Sequence, residues 1–75
     1  SMGSGWGTVR YEKDGSVRLV ILHGSLMLKQ FVYGTGENVT SVSADGEKTA
    51  FIREKDAVSF PEEIRIEKSL ELKAD

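Results

Sequence analysis

The 75-residue sequence predicts an all-β fold, a small antiparallel meander or barrel-like sheet of about 5 to 7 strands joined by glycine turns. Three observations carry that expectation. Glycine followed by a polar residue recurs every nine to twelve positions, at Gly15-Ser16, Gly24-Ser25, Gly36-Glu37 and Gly46-Glu47. Between these pairs lie strand-length stretches rich in Val, Leu, Ile, Thr and aromatic residues, the spacing expected of a meander, barrel or sandwich. In the C-terminal third, apolar residues alternate with polar ones.

From the N-terminus, Trp6 to Glu12 alternates, with Gly7, Val9 and Tyr11 on one side and Trp6, Thr8 and Arg10 on the other. Lys13-Asp14-Gly15-Ser16 turns the chain into Val17–Leu22, where Val17, Leu19 and Ile21 share one face and Val20 and Leu22 the other. After a His23-Gly24 turn, strict alternation puts Leu26, Leu28 and Val32 together, opposite Met27, Lys29, Phe31 and Tyr33. Both strands are apolar on two faces, which suits a layered interior or a subunit contact. Gly34-Thr35-Gly36-Glu37 makes another permissive turn, followed by a short, weakly apolar strand at Val39–Ser43 that is a candidate edge. Asp45-Gly46 is the strongest hairpin signal, because both residues accept the positive φ of a type I′ turn. Lys48 to Glu54 is expected to return beside the preceding strand.

The last third allows two structures. Ser59-Phe60-Pro61-Glu62 resembles a helix capping box, and a helix over 60–72 capping the meander would make the fold α+β. Counting favours strand: from Val58 to Ala74 seven of the nine even positions are apolar, whereas a helical stripe from Ile64 collects two in six. The expected result is one long strand, or two broken near Lys68-Ser69, with Glu63, Arg65, Glu67, Glu71 and Lys73 on a single solvated face.

Residues 1–5 read as an expression remnant and flexible lead, leaving 6–75 as a single β domain. A chain this short holds one core and buries only about 60% of its unfolded surface, a margin that staples or self-association often supplement. With no cysteine and one histidine, His23, neither a disulfide nor a metal cofactor is expected. The longest nearly apolar run, Leu19 to Leu22, is far short of the roughly 20 residues that span a bilayer. Absence of cysteine and of a secretory leader points to a soluble, intracellular chain.

The net charge of −2 is unevenly distributed. Residues 1–53 carry six Lys/Arg against five Asp/Glu, and residues 54–75 carry four against seven. No basic run marks a phosphate-binding face, so generic nucleic-acid binding is disfavoured. His23, Ser25 and Asp14 do not form the spacing of a triad, in which a base is held against a nucleophile by a third group. The Gly34/Gly36 pair lacks the third glycine and the helix of a dinucleotide fingerprint. The carboxylates follow no calcium-loop spacing, and Asn38-Val39-Thr40 matches the short glycosylation sequon.

No enzyme is therefore expected. The function expected is a non-catalytic interaction module that uses a sheet face or edge strand to bind a protein, including another copy of itself. Trp6, Arg18, Lys29, Phe31 and Tyr33 are its candidate contacts. The alternative is a small barrel that binds single-stranded nucleic acid or carbohydrate by stacking on these aromatics beside basic residues.

Overall fold

The computed structural model describes residues 5–34 and 38–74. Every regular element in them is a strand: β1 (Trp6–Tyr11), β2 (Val17–His23), β3 (Leu26–Val32), β4 (Val39–Ala44), β5 (Glu47–Lys48), β6 (Ile52–Arg53), β7 (Ala57–Ile66) and β8 (Ser69–Ala74). The fold is all-β and antiparallel, in two layers. A five-stranded sheet runs β1-β2-β8-β4-β5 and a three-stranded sheet runs β3-β7-β6. The helix over 60–72 is thereby overturned. The two-residue period described that stretch, and its even positions Val58, Phe60, Ile66, Leu70 and Leu72 are all buried.

The core lies between the layers. Val17, Leu19, Val39, Val42, Leu70 and Leu72 come from the larger sheet, and Leu28, Val58, Phe60 and Ile66 from the smaller. Burying these rows away from water supplies the main force that holds the sheets face to face. Val39 and Val42 lie three apart yet both point inward, because the ladder to β8 slips between Val39 and Ser41. Such a bulge inserts one residue and reverses the alternation beyond it.

A second slip corrects the assignment of faces on β3. Strict alternation grouped Val32 with Leu26 and Leu28, but the β3–β7 register shifts between Leu28 and Gln30. Beyond it Phe31 and Tyr33 pack against the core and Val32 is exposed. The cause is on β7, where Phe60, Pro61, Glu62 and Glu63 lie between the partners of Gln30 and Leu28, opposite Lys29 alone. Pro61 has no N–H to offer the ladder, and its carbonyl accepts a 2.7 Å hydrogen bond from Lys29 Nζ.

The turns divide into hairpins and corners. Asp14-Gly15 closes the β1–β2 hairpin: Gly15 has φ +90°, and Asp14 Oδ1 accepts the Ser16 N–H at 2.9 Å. That bond to Ser16 holds the Asp14 carboxyl below the usual range. Asp45 (φ +52°) and Gly46 (φ +86°) form the expected two-residue hairpin between β4 and β5. By contrast, His23-Gly24 joins strands that are not paired, since β2 belongs to one sheet and β3 to the other. The Gly36-Glu37 turn lies outside the described residues.

The return strand after Asp45-Gly46 is also shorter than expected. Only Glu47 and Lys48 pair with β4; the chain then crosses to the other sheet, where Ile52 and Arg53 pair with Ser59 and Val58. This crossing seals one side of the sandwich. Thr49 N–H donates to the Val42 carbonyl at 2.9 Å, Phe51 packs on the core, and Arg53 Nε donates to the Val39 carbonyl at 2.5 Å while its guanidinium stands over the Phe51 ring.

The break between β7 and β8 falls at Glu67-Lys68, where the chain leaves the smaller sheet for the larger. Glu63 and Arg65 on β7 and Glu71 and Lys73 on β8 therefore belong to different layers, and the single charged face becomes two. The corner is held from a distance by Asp45, whose carboxylate accepts the backbone N–H groups of Glu67, Lys68 and Ser69.

Candidate functional site

The side of the sandwich opposite the crossing is open. β1 and β3 are the terminal strands of their sheets, and an open cleft of about 720 Å³ lies between them. They meet at one end, where a Cβ on Gly5 would stand 2.5 Å from the Ser25 carbonyl oxygen and 2.7 Å from that of His23. Gly7 approaches β2 more closely still, and a Cβ there would overlap the Val20 carbonyl oxygen. From this junction the cleft runs along β3, lined by Trp6, Leu19, Met27, Lys29, Phe31 and Glu63 among others.

β1 is the least covered of the strands longer than two residues. Its only neighbour is β2. Val9 and Tyr11 stand opposite the core residues Leu19 and Val17, so they point to the inner side of the sheet. The three-stranded layer does not reach over them, and they remain 43% and 63% exposed. Trp6 is 61% exposed and lies across from His23, ring centroids 6.4 Å apart. The strand thus presents an unpaired backbone edge, an uncovered inner row and an aromatic residue at each end.

Three of the five sequence-predicted contact residues, Trp6, Lys29 and Phe31, line this cleft. Tyr33 stands one ring behind, stacked on Phe31 at 5.4 Å and 23°. Its hydroxyl is buried without a hydrogen-bond partner among the described residues, and burial raises its pKa above the usual phenol value. Arg18 lies elsewhere. It is exposed between Arg10 of β1 and Glu71 of β8, in a hollow of about 200 Å³ that Glu12, Asp14 and Lys73 also line. Charges of both signs surround it, Arg10 and Lys73 beside Glu12, Asp14 and Glu71, and it stands apart from Trp6, Lys29 and Phe31.

A polar cluster stands on the outer side of the smaller sheet. Glu54 Oε1 accepts hydrogen bonds from Ser59 Oγ and, at 2.8 Å, from Gln30 Nε2. These donors, Ser59 foremost, hold the Glu54 carboxyl below its usual range. The cluster ties the loop before β7 to β3 and β7, a structural task. Among the described residues no three His, Asp or Glu side chains converge as metal ligands would.

Sequence inspection grouped Gly7, Val9 and Tyr11 on one side of β1 but missed that this side would be uncovered. Periodicity reports which residues share a face and says nothing of how far the opposite layer extends. Gly7→Ala tests the close approach. The added methyl is expected to push β1 off β2 and cost about 1–3 kcal/mol, the range for overpacking, with Thr8→Ala within about 0.5 kcal/mol of the parent. Urea unfolding followed by far-UV dichroism, with Trp6 emission as the local probe, measures both; equal stability of the two variants would refute the contact.

No family model, curated protein or solved structure matches this chain.

Proposed function

We propose that this chain is a non-catalytic protein-interaction module that receives an extended polypeptide segment along its open side, where the edges of β1 and β3 flank the cleft. The observation that supports this most directly is the state of β1, which is uncovered on its edge and over its inner row. An incoming strand would satisfy the free N–H and C=O groups of an edge, and its alternate side chains would enter the cleft or cover Val9 and Tyr11. Strand addition of this kind draws affinity from main-chain hydrogen bonds and specificity from pockets for alternate side chains.

Selection of short peptides from a random library of about seven residues, the length of a typical strand, tests the proposal. Binders are expected to be rich in β-branched and aromatic residues at alternate positions. On binding they slow amide hydrogen exchange in Gly7–Tyr11 or Leu26–Val32. Protection confined to other strands would count against the proposal. Quenching of Trp6 by single-stranded oligonucleotides at low salt, relieved as salt rises, would transfer the site to the nucleic-acid alternative, because phosphate binding is strongest at low ionic strength.

A further inference from the structure

We infer that the strand received at β1 is the β1 of a second copy of this chain, paired antiparallel about a two-fold axis at Val9. The inference rests on the proposal that this side is the binding surface and names its occupant.

The four sheet edges are not equivalent. β5 and β6 are two-residue strands, and shortness is one way of blunting an edge. β3 carries two other protective devices at one position, a lysine and a register slip, both at Lys29. β1 has none of these between Gly7 and Tyr11. Its only irregularity, between Trp6 and Gly7, sits at the very start, and its only charge is Arg10. Of the four edges it is the least protected.

Face parity and charge then select the register. In an antiparallel pair, residues directly opposite point to the same side. A two-fold normal to the sheet therefore aligns the inner row Gly7, Val9 and Tyr11 with itself only if the axis passes through a residue. An axis at Arg10 would set two guanidinium groups face to face, an unfavourable pairing. An axis at Val9 sets Val9 against its symmetry mate and each Tyr11 across from Gly7 of the second copy. There the ring covers a backbone that has no side chain of its own, a known remedy for glycine at an edge. It also places Arg10 opposite Thr8, and Glu12 opposite Trp6. An axis at Thr8 leaves Tyr11 facing Gly5 at the crowded junction with Ser25. The contact is isologous and closes at two copies.

A stable interface buries about 800 Å² per partner, roughly a sixth of the 4908 Å² surface of one copy. A single pair of edge strands covers less, so a weak dimer whose population depends on concentration is expected. Because the chain has no cysteine, a single substitution reports the register. Cα separations of about 4.5–5.5 Å in antiparallel pairs fall within disulfide range. Val9→Cys is expected to give a disulfide-linked dimer under mild oxidation, with Thr8→Cys and Arg10→Cys linking at least about tenfold more slowly. Light scattering of the parent chain should show mass rising from one copy to two and stopping there. Val9→Lys, at a half-exposed site, should keep its far-UV dichroism and raise the dissociation constant at least about tenfold through like charges placed opposite each other. A parent chain monomeric at millimolar concentration, linking that does not distinguish positions 8, 9 and 10, or mass that grows without limit would each overturn the inference. Peptide binding at the cleft is read separately by hydrogen exchange, so failure of the dimer and failure of the binding surface give different results.

Discussion

Phe60→Ala is expected to remove a large share of this chain's stability, leaving it anywhere from largely unfolded to folded by about 8 kcal/mol in water at 25 °C. Phe60 sits on β7, the central strand of the smaller sheet, is 1% exposed and is the largest of the fully buried side chains. Removing a buried ring costs about 3–5 kcal/mol, the lost transfer free energy plus the cavity left behind. At roughly 0.05–0.15 kcal/mol per residue, a chain of this length has about 4–11 kcal/mol in total. The core has few other large groups with which to refill the space, and the Pro61 irregularity next to Phe60 limits how far β7 can shift. Phe60→Leu, which keeps most of the volume, is expected to cost about 1–1.5 kcal/mol, and Ile52→Ala, at an exposed position, less than about 0.5 kcal/mol. Urea denaturation of the three variants gives the order directly. A Phe60→Ala cost below about 1 kcal/mol would mean that the two layers are not held by this core.

The second large effect is expected at Asp45, which does two things at once. Its backbone occupies the positive-φ site of the β4–β5 turn, and its own N–H donates to the Ser69 carbonyl at 2.8 Å. Its carboxylate accepts the N–H groups of Glu67 at 3.0 Å, Lys68 at 2.7 Å and Ser69 at 3.1 Å, the corner at which the chain changes sheets. Three donors that strand pairing leaves free are thus satisfied by one anion from a distant turn. Asp45→Ala is expected to cost about 2–3 kcal/mol, because hydrogen bonds to a charged group are worth more than neutral ones and alanine resists positive φ. Asp45→Gly removes the carboxylate while keeping the turn, and Asp45→Asn keeps one acceptor oxygen and a residue type that tolerates positive φ. Both should be milder than alanine. If the glycine variant matched the parent, the corner bonds would carry no weight.

The same carboxylate sets a pH dependence. Desolvation acts to raise the Asp45 pKa, but the bonds from Glu67, Lys68 and Ser69 and the charge of Lys68 outweigh it, and the net shift is downward. Asp14 and Glu54 are also shifted down by the donors they accept. A carboxyl with a lowered folded pKa stabilises the fold above its unfolded value, about 4 for these groups, and that contribution disappears as pH falls through the folded value. Stability is therefore expected to be level from neutral pH down to about 5 and to fall below about 4. Asp45→Asn should flatten part of that acid limb. A limb unchanged in that variant would assign it to the other two groups.

Much of the architecture could be seen in single residues and their spacing. The even-position apolar count from Val58 to Ala74 favoured strand over helix, and the break near Lys68-Ser69 is where β7 ends and β8 begins. Asp45-Gly46 announced a two-residue hairpin because few residue pairs accept two positive φ angles. Other features were out of reach because they depend on partners distant in the chain. Val32 changed sides because Pro61, 29 positions later, has no N–H for the ladder. His23-Gly24 became a corner because β2 pairs with β8 and β3 with β7. Of the site, the aromatic and basic character of Trp6, Lys29 and Phe31 was visible, but their meeting in one cleft and the separation of Arg18 from them were not.

By itself the sequence determined the all-β class, the hairpins at Asp14-Gly15 and Asp45-Gly46 and most of the rows that could be buried, since alternation and positive φ are properties of the backbone within a few residues. The tertiary structure alone decided strand order, the division into unequal layers and the exposure of β1. Those depend on which strands pair after long stretches of intervening chain, and on one layer being too narrow to cover the other.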